Sequence, residues 1–181
     1  MRKVSLLGTV WLSALLASCG QGRAIFDVDV LSFLVPSGDA VIDYNVIGGV
    51  PPVDVDTSVQ FSLPPGLGRS TADSVQVTAA AILENLTGSG NATFEVYFAK
   101  TQAGVFSGTP YITASSGPVS GPDTVSLLLP TSVSLSDSVF NATDVWAGIR
   151  VRLSTNLGPN MTGDLRLTQL ALRVVLQDKV F

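Results

Sequence analysis

Histidine is absent from this chain of 181 residues, and the chain contains a single cysteine. Without an imidazole it has no Ser-His-Asp triad, no Cys-His pair and no histidine-ligated zinc. One cysteine cannot form a disulfide bond within the chain or hold a cysteine-based metal cluster. These absences exclude several common classes of enzyme and metal site, and no residue in the sequence stands out as catalytic.

Charged residues are also scarce. They make up 13% of the chain, against about 25% in an average soluble domain. The formal net charge is −4, whereas a nucleic-acid-binding domain needs a dense basic surface. We therefore expect no nucleic acid as a partner. The length suits one domain, and a domain of roughly 150 residues buries about 70% of its unfolded surface, which is enough to form a core without cross-links.

The N-terminal segment is the most informative part of the sequence. Arg2 and Lys3 give it two positive charges, and residues 4–17 follow without a charged side chain. This apolar run of 14 residues is shorter than the ~20 residues that a membrane-spanning helix needs. A basic start, an apolar run of this length and small residues after it are typical of a secretory signal peptide.

The end of the apolar run resembles the lipobox of bacterial lipoproteins, which consists of a leucine, two small residues and a cysteine. The matching residues are Leu16-Ala17-Ser18-Cys19, and Cys19 is the only cysteine of the chain. The resemblance implies that a diacylglyceryl group is attached to the sulfur of Cys19 and that the chain is cut between Ser18 and Cys19. It also implies that the new amino group receives a fatty acid such as palmitate. The alternative is an ordinary signal peptide with a cysteine near its end.

The same resemblance predicts the organisation and location of the chain. Residues 1–18 are then a lipoprotein signal peptide, residues 19–25 carry the lipid and form a short tether, and residues 26–181 form a single domain. Gly20 follows the cysteine, instead of the aspartate that retains some lipoproteins in the inner membrane. We therefore expect the outer membrane in a cell with two membranes, and otherwise the outer face of the cytoplasmic membrane. The lipid bilayer is the first expected partner.

The rest of the sequence has the pattern of an all-β protein. Runs rich in Val, Ile, Thr and Phe are separated by Gly, Pro, Asp and Ser, which predicts strands joined by turns. No sustained helical periodicity interrupts this pattern after the signal peptide. The predicted strands cover residues 26–35, 39–47, 57–63, 73–83, 92–100, 123–129, 145–154 and 164–177, with a further short strand as an option at 133–139.

Alternating apolar and polar residues predict antiparallel sheets that bury one face. In the last predicted strand, Leu165 and Leu167 are out of phase with the apolar residues between Leu170 and Leu176. A β-bulge near Thr168 would return all of them to one face, and a strand that changes sheets would explain the same pattern. About eight such strands predict an antiparallel two-sheet β-sandwich that is jelly-roll-like, with a closed barrel as the alternative.

Two outward-facing groups are candidates for binding. Trp146 shares a strand face with Arg150 and Arg152, and Glu95 and Tyr97 point outward from another strand. A tryptophan beside arginines offers a flat apolar platform next to hydrogen-bond donors, on which a sugar ring can stack. The alternative is that the tryptophan covers the end of the core and that Arg150 pairs with an acidic neighbour.

The segment 101–123 is predicted to be a long surface loop because it is rich in glycine and proline. It carries the aromatic residues Phe106 and Tyr111, and loops on rigid sheets often hold binding sites. We therefore include both aromatic residues as candidates, against the simpler interpretation of a long surface connection.

Acidic residues are concentrated in the first part of the predicted domain, and two pairs have the spacing of neighbours on one strand face. These candidates for calcium binding are Asp27, Asp29, Asp54 and Asp56. Calcium takes six to eight oxygen ligands, but no sequence motif of a calcium loop is present. A solvated acidic face that protects edge strands is the alternative. No other metal or cofactor is predicted.

These observations favour a membrane-anchored cell-envelope lipoprotein with a non-catalytic, structural or partner-binding β-sandwich. One alternative is a carbohydrate-binding module on the cell surface or in the periplasm, so an envelope protein or a glycan is the expected second partner. Another alternative is a small hydrolase that uses two carboxylates, for which Glu84 and Glu95 are the only glutamates.

Overall fold

A computed structural model describes residues 23–63, 71–128, 132–135 and 138–177 of the chain. The predicted signal peptide and Cys19 lie outside the described residues. The described part contains ten strands, one short α-helix and two 3-10 helices. The strands are β1 (Arg23–Asp29), β2 (Val41–Val46), β3 (Val53–Ser62), β4 (Thr71–Thr87), β5 (Ser89–Ala99), β6 (Ile112–Ser120), β7 (Asp123–Leu128), β8 (Ser132–Leu135), β9 (Asp144–Thr155) and β10 (Met161–Gln177); the helices are α1 (Leu31–Leu34) and the 3-10 helices Gln102–Gly104 and Ser138–Asn141.

The described strands form two antiparallel sheets. In the first sheet, the long strands β10 and β4 pair in the centre; β1 and β2 lie one after the other along the outer side of β10, and β7 and β8 do the same along β4. The second sheet has the order β3-β9-β5-β6. Each sheet is therefore four strands wide, and the order in which the chain fills these eight positions is that of a jelly roll. The predicted two-sheet sandwich is confirmed, and the closed-barrel alternative is not adopted.

The two ends of the sandwich are defined by how the strands run. Arg23 begins β1 and pairs with Gln177, while Thr71 begins β4 at the same end. At the opposite end, Gly88 joins β4 to β5 and passes the chain from the first sheet to the second. We call these the Arg23 end and the Gly88 end.

The core lies between the two sheets and is built by strand alternation. Phe94, Val96 and Phe98 of β5 point inward as predicted, and all three are buried. They belong to one hydrophobic cluster with Leu170 and Leu172 of β10 in the opposite sheet. Burial of this apolar surface is the main favourable contribution to folding, at about 25 cal/mol per Å².

A β-bulge in β10 resolves the phase change seen in the sequence. The register with β4 shifts between Leu167 and Gln169, which face the adjacent residues Ala81 and Ala80, so Thr168 is the extra residue. Leu167 before the bulge and Leu170 after it are both buried, whereas Thr168 is exposed. The predicted bulge is therefore confirmed, and it lies between the part of β10 that pairs with β2 and the part that pairs with β1.

The strand predicted at 26–35 is wrong in its second half. β1 ends at Asp29, and residues Leu31–Leu34 form the short helix α1. Val30 and Leu34 are both fully buried, and their separation of four residues is the helical spacing that places two side chains on one side. The helix touches β10 of the first sheet and β3 of the second, so it packs between the two sheets at their edge.

The loop predicted at 101–123 is also wrong in its second half. Residues Ile112–Ser120 form β6, an edge strand that pairs with β5. Proline is tolerated in edge strands because its missing N–H removes no bond from a central ladder, and Pro118 has such a position. The first strand also begins earlier than predicted, because β1 starts at Arg23, whereas the sequence suggested residue 26.

Deletion of Thr168 tests whether this residue is the extra one. Without it, Leu167 and Leu170 are two positions apart, so a regular strand can place the apolar side chains of both halves of β10 in the core. We therefore expect the deletion variant to keep a cooperative urea unfolding transition. Because Thr168 is exposed, Thr168→Ala is the matched control and should unfold within about 0.5 kcal/mol of the wild type. A deletion variant that no longer unfolds cooperatively would contradict this assignment.

Candidate functional site

The outer face of the second sheet brings most of the predicted binding residues together. On β5, Glu95 lies opposite Arg150 of β9, and Tyr97 lies opposite Gly148. On the other side of β9, Arg150 lies opposite Asp56 of β3. We call the group formed by Asp56, Glu95, Tyr97, Phe106 and Arg150 the outer cluster.

Arg150 is at the centre of the outer cluster. Its Nε and Nη2 atoms each donate a hydrogen bond of 2.8 Å to the carboxylate of Asp56. Its guanidinium carbon lies 4.7 Å from the ring centre of Phe106 and 5.6 Å from that of Tyr97. The hydrogen bonds to Asp56 raise the pKa of Arg150 above its already high ordinary value. A permanent cation therefore joins an acidic edge strand to two aromatic rings.

Glu95 and Tyr97 lie outward on their strand and are nevertheless buried. Tyr97 is 5% exposed and Glu95 is 9% exposed. The Tyr97 hydroxyl donates a hydrogen bond of 2.6 Å to Oε2 of Glu95. Burial, followed by this interaction with Glu95, raises the pKa of Tyr97, so the phenol stays protonated and remains a donor at neutral pH.

The segment from Thr101 to Gly108 covers Tyr97. Val105 is buried, and the ring of Phe106 packs edge-on against Tyr97 with 5.4 Å between ring centres. The cover lies directly over Gly148, where a Cβ atom would be 2.8 Å from Phe106 Cε1. Glycine at this position is therefore needed for the close approach of the loop to the sheet.

Arg152 and Trp146 lie on the same face of the sheet. Arg152 is exposed and donates hydrogen bonds of 2.8 and 3.0 Å to the two carboxylate oxygens of Asp54. Trp146 is half-buried and pairs in register with Gln60 and Ala99. Of the predicted sugar platform, Tyr97 and Glu95 are buried, whereas Trp146, Arg150 and Arg152 remain at least partly accessible.

Tyr111 is not part of the outer cluster. Its ring packs against Phe98 and Phe140, with centre distances of 5.3 and 5.7 Å. Phe98 and Tyr97 are consecutive residues of β5 that point to opposite faces of the sheet. Phe106 and Tyr111, predicted together on one loop, therefore lie on opposite sides of the second sheet.

The four calcium candidates do not converge. Asp27 and Asp29 lie on β1 of the first sheet, whereas Asp54 and Asp56 lie on β3 of the second. The latter pair is engaged with the two arginines of β9, and of these two pairs the sequence alternative had named only the one at Arg150. Among the described residues, no three Asp, Glu, His or Cys side chains are grouped so as to hold a metal ion. Glu84 and Glu95, considered for hydrolysis, also belong to different sheets.

A row of carboxylates on the first sheet was not predicted. Asp164 of β10 lies directly between Asp43 of β2 and Glu84 of β4. Burial and the charge of Asp164 raise the pKa of the nearby Tyr44 to about 12. The sequence signal was weak, because the three acidic residues come from three distant strands and only their register brings them together. This carboxylate row makes the outer face of the first sheet acidic toward the Gly88 end.

The described residues contain no helix that is both long and apolar enough to cross a membrane.

No protein-family model and no curated protein matches the sequence. Among solved structures, the chain is similar to one in "Structure of infectious bursal disease virus Gx strain", with a TM-score of 0.42 and 11% identity over 88% of this chain and 38% of that chain. For "Crystal structure of infectious bursal disease virus VP2 subviral particle" the TM-score is 0.42 and the identity 11%, over 88% and 37%. The chain thus spans little more than a third of those viral chains, and the likeness concerns the β-sandwich architecture alone.

Replacement of Arg150 tests whether the outer cluster fastens the loop. Arg150→Met removes the hydrogen bonds to Asp56 and the contact with Phe106, and we expect a loss of about 1 kcal/mol in the free energy of unfolding. We also expect faster cleavage by chymotrypsin after Phe106, because the loop is released. Arg152→Met is the matched control on the same strand face, since Arg152 pairs with Asp54, and it should leave the cleavage rate unchanged. Equal cleavage rates in wild type and Arg150→Met would contradict the fastening role.

The ion pair of Asp54 predicts a pH dependence of stability. The hydrogen bonds from Arg152 hold the pKa of Asp54 below its ordinary value, which is about 3.9 in an unfolded chain. The stabilisation is therefore complete above that value and is lost as the pH falls through the lower, folded-state pKa. In urea titrations, Asp54→Asn should flatten the decline of stability below about pH 4, and Arg152→Met should do the same. An unchanged acid slope in both variants would show that the pair does not contribute.

Proposed function

We propose that the chain is a cell-envelope lipoprotein whose β-sandwich is held at a membrane by lipid on Cys19. The observation that carries this proposal is the sequence Leu16-Ala17-Ser18-Cys19 after a basic start and a short apolar run. Its only cysteine stands at the position that receives the lipid in such proteins.

The physics of anchoring supports this proposal. One acyl chain binds a membrane only marginally, whereas two or three chains hold a protein firmly. Removal of residues 1–18 takes away Arg2 and Lys3, so 8 basic residues remain against 14 acidic ones, a net charge of −6. An acidic domain gains no attraction to anionic headgroups, so the lipid itself has to supply the affinity.

For the domain we propose a structural or partner-binding role without catalysis. The polar groups of the outer cluster are engaged with one another: Arg150 with Asp56, and Tyr97 with Glu95. Such a mutually satisfied group fixes a loop on a rigid sheet and presents its outer surface. The burial of Tyr97 and Glu95 weighs against the carbohydrate-binding alternative, which would depend on Trp146, Arg152 and the Arg150 that is already engaged with Asp56.

Replacement of the cysteine tests the proposal. In a bacterial host, wild-type protein should partition into the detergent phase of a Triton X-114 extract, and Cys19→Ser should stay in the aqueous phase. Ser13→Ala, a change within the apolar run but away from the cleavage site, is the matched control and should partition like wild type. If the wild-type protein remains aqueous and keeps a free thiol, the proposal is wrong and a freely secreted protein takes its place.

A further inference from the structure

The distance between the lipid and the fold is fixed by a short stretch of chain. Cys19 and Arg23 are four residues apart, and an extended chain covers at most about 3.6 Å per residue. No more than about 14 Å therefore separates the lipid-bearing residue from the start of β1. The Arg23 end of the sandwich is thus confined to the immediate neighbourhood of the bilayer.

One exposed apolar side chain lies at this end of the sandwich. Ile25, two residues after Arg23, is 53% exposed on the outer side of β1, in register with Val175. It lies along the edge from which the chain leads to Cys19, so the polar–apolar boundary of a bilayer is a suitable environment for it.

The distribution of charge distinguishes a domain that stands on its Arg23 end from one that lies on its first sheet. Asp164, in the middle of the carboxylate row, is eleven residues along β10 from Val175, which lies beside Ile25. At about 3.3 Å per residue this is roughly 35 Å, several times the Debye length of about 8 Å at physiological salt. A domain standing on its Arg23 end keeps the row beyond the reach of the headgroup charge. A domain lying on the first sheet would press three carboxylates against anionic lipid.

We propose that the domain stands end-on, with the Arg23 end around Ile25 against the lipid surface and the Gly88 end pointing away from it. This inference rests on the proposed lipid anchor. The Gly88 end then presents Leu157, which is 90% exposed, beside the loop of Ile47. These two loops are joined through Thr155, whose hydroxyl donates to the Ile47 carbonyl and accepts from the Gly49 amide.

Tryptophan fluorescence provides a direct test, because the mature chain contains only one tryptophan. Trp11 lies within residues 1–18, which leaves Trp146. On a Trp146→Phe background, single tryptophans are placed at Ile25, Asp43 and Leu157, positions whose side chains are all exposed. The lipidated proteins are reconstituted in vesicles of phosphatidylethanolamine and phosphatidylglycerol that contain a lipid with a nitroxide on its headgroup.

Quenching should be several-fold stronger for Ile25→Trp than for Asp43→Trp and Leu157→Trp. Equal quenching at Ile25→Trp and Asp43→Trp would show that the domain lies on the first sheet, and equal quenching at Leu157→Trp would show that the Gly88 end touches the membrane. Either result overturns the end-on orientation. Unfolding of each variant in urea confirms that the substitutions leave the fold intact.

Failure of the anchor and failure of the orientation are distinguished by how the lipid is attached. If the purified protein carries no acyl mass, the proposed function fails. The same tryptophan variants, with the thiol of Cys19 coupled to a maleimide lipid, then still report the orientation of the domain. If the protein is acylated and the quenching pattern is flat, the orientation alone is wrong.

Discussion

The pairing of β4 with β10 is the constraint on which the rest of the structure depends. Both strands are 17 residues long, and each carries two shorter strands along its outer side. Their pairing contains three register shifts, and the one at Thr168 returns the apolar side chains of β10 to the core. The first sheet can therefore extend over the whole length of the sandwich and still bury one face against the second sheet.

The second sheet shows how a chain with few charges uses them. Two arginines of β9 are placed opposite two aspartates of β3, and one of these arginines also stacks on the rings of Tyr97 and Phe106. Exposed ion pairs contribute little to stability, but here the pair at Arg150 is combined with an aromatic cover over a glycine. The result is a fixed loop on an otherwise open sheet face, which is consistent with a scaffold that presents its surface and fits the proposed non-catalytic role.

Period-two alternation was sufficient to predict the fold class, the inward side chains of β5 and β9, and the bulge near Thr168. It failed at α1, because Val30 and Leu34 lie in a run whose only polar residue is Ser32. Such a run distinguishes poorly between the strand period of two and the helical period of 3.6. It also failed at β6, where Gly117 and Pro118 suggested a loop although an edge strand tolerates both. The outer face of β9 was predicted from sequence, but its partners were not, because the register with β3 depends on residues nearly a hundred positions away. The carboxylate row was missed for the same reason.

The central claim, that lipid on Cys19 holds this sandwich at a membrane, is tested most directly by the N-terminal peptide of the mature protein. Trypsin cuts after Lys3 and Arg23, so a processed lipoprotein yields the peptide Cys19–Arg23 and an uncleaved chain yields Val4–Arg23. The account predicts Cys19–Arg23 with the added mass of a diacylglyceryl group on its sulfur. A peptide with an unmodified thiol, or one that begins at any other residue, would contradict it.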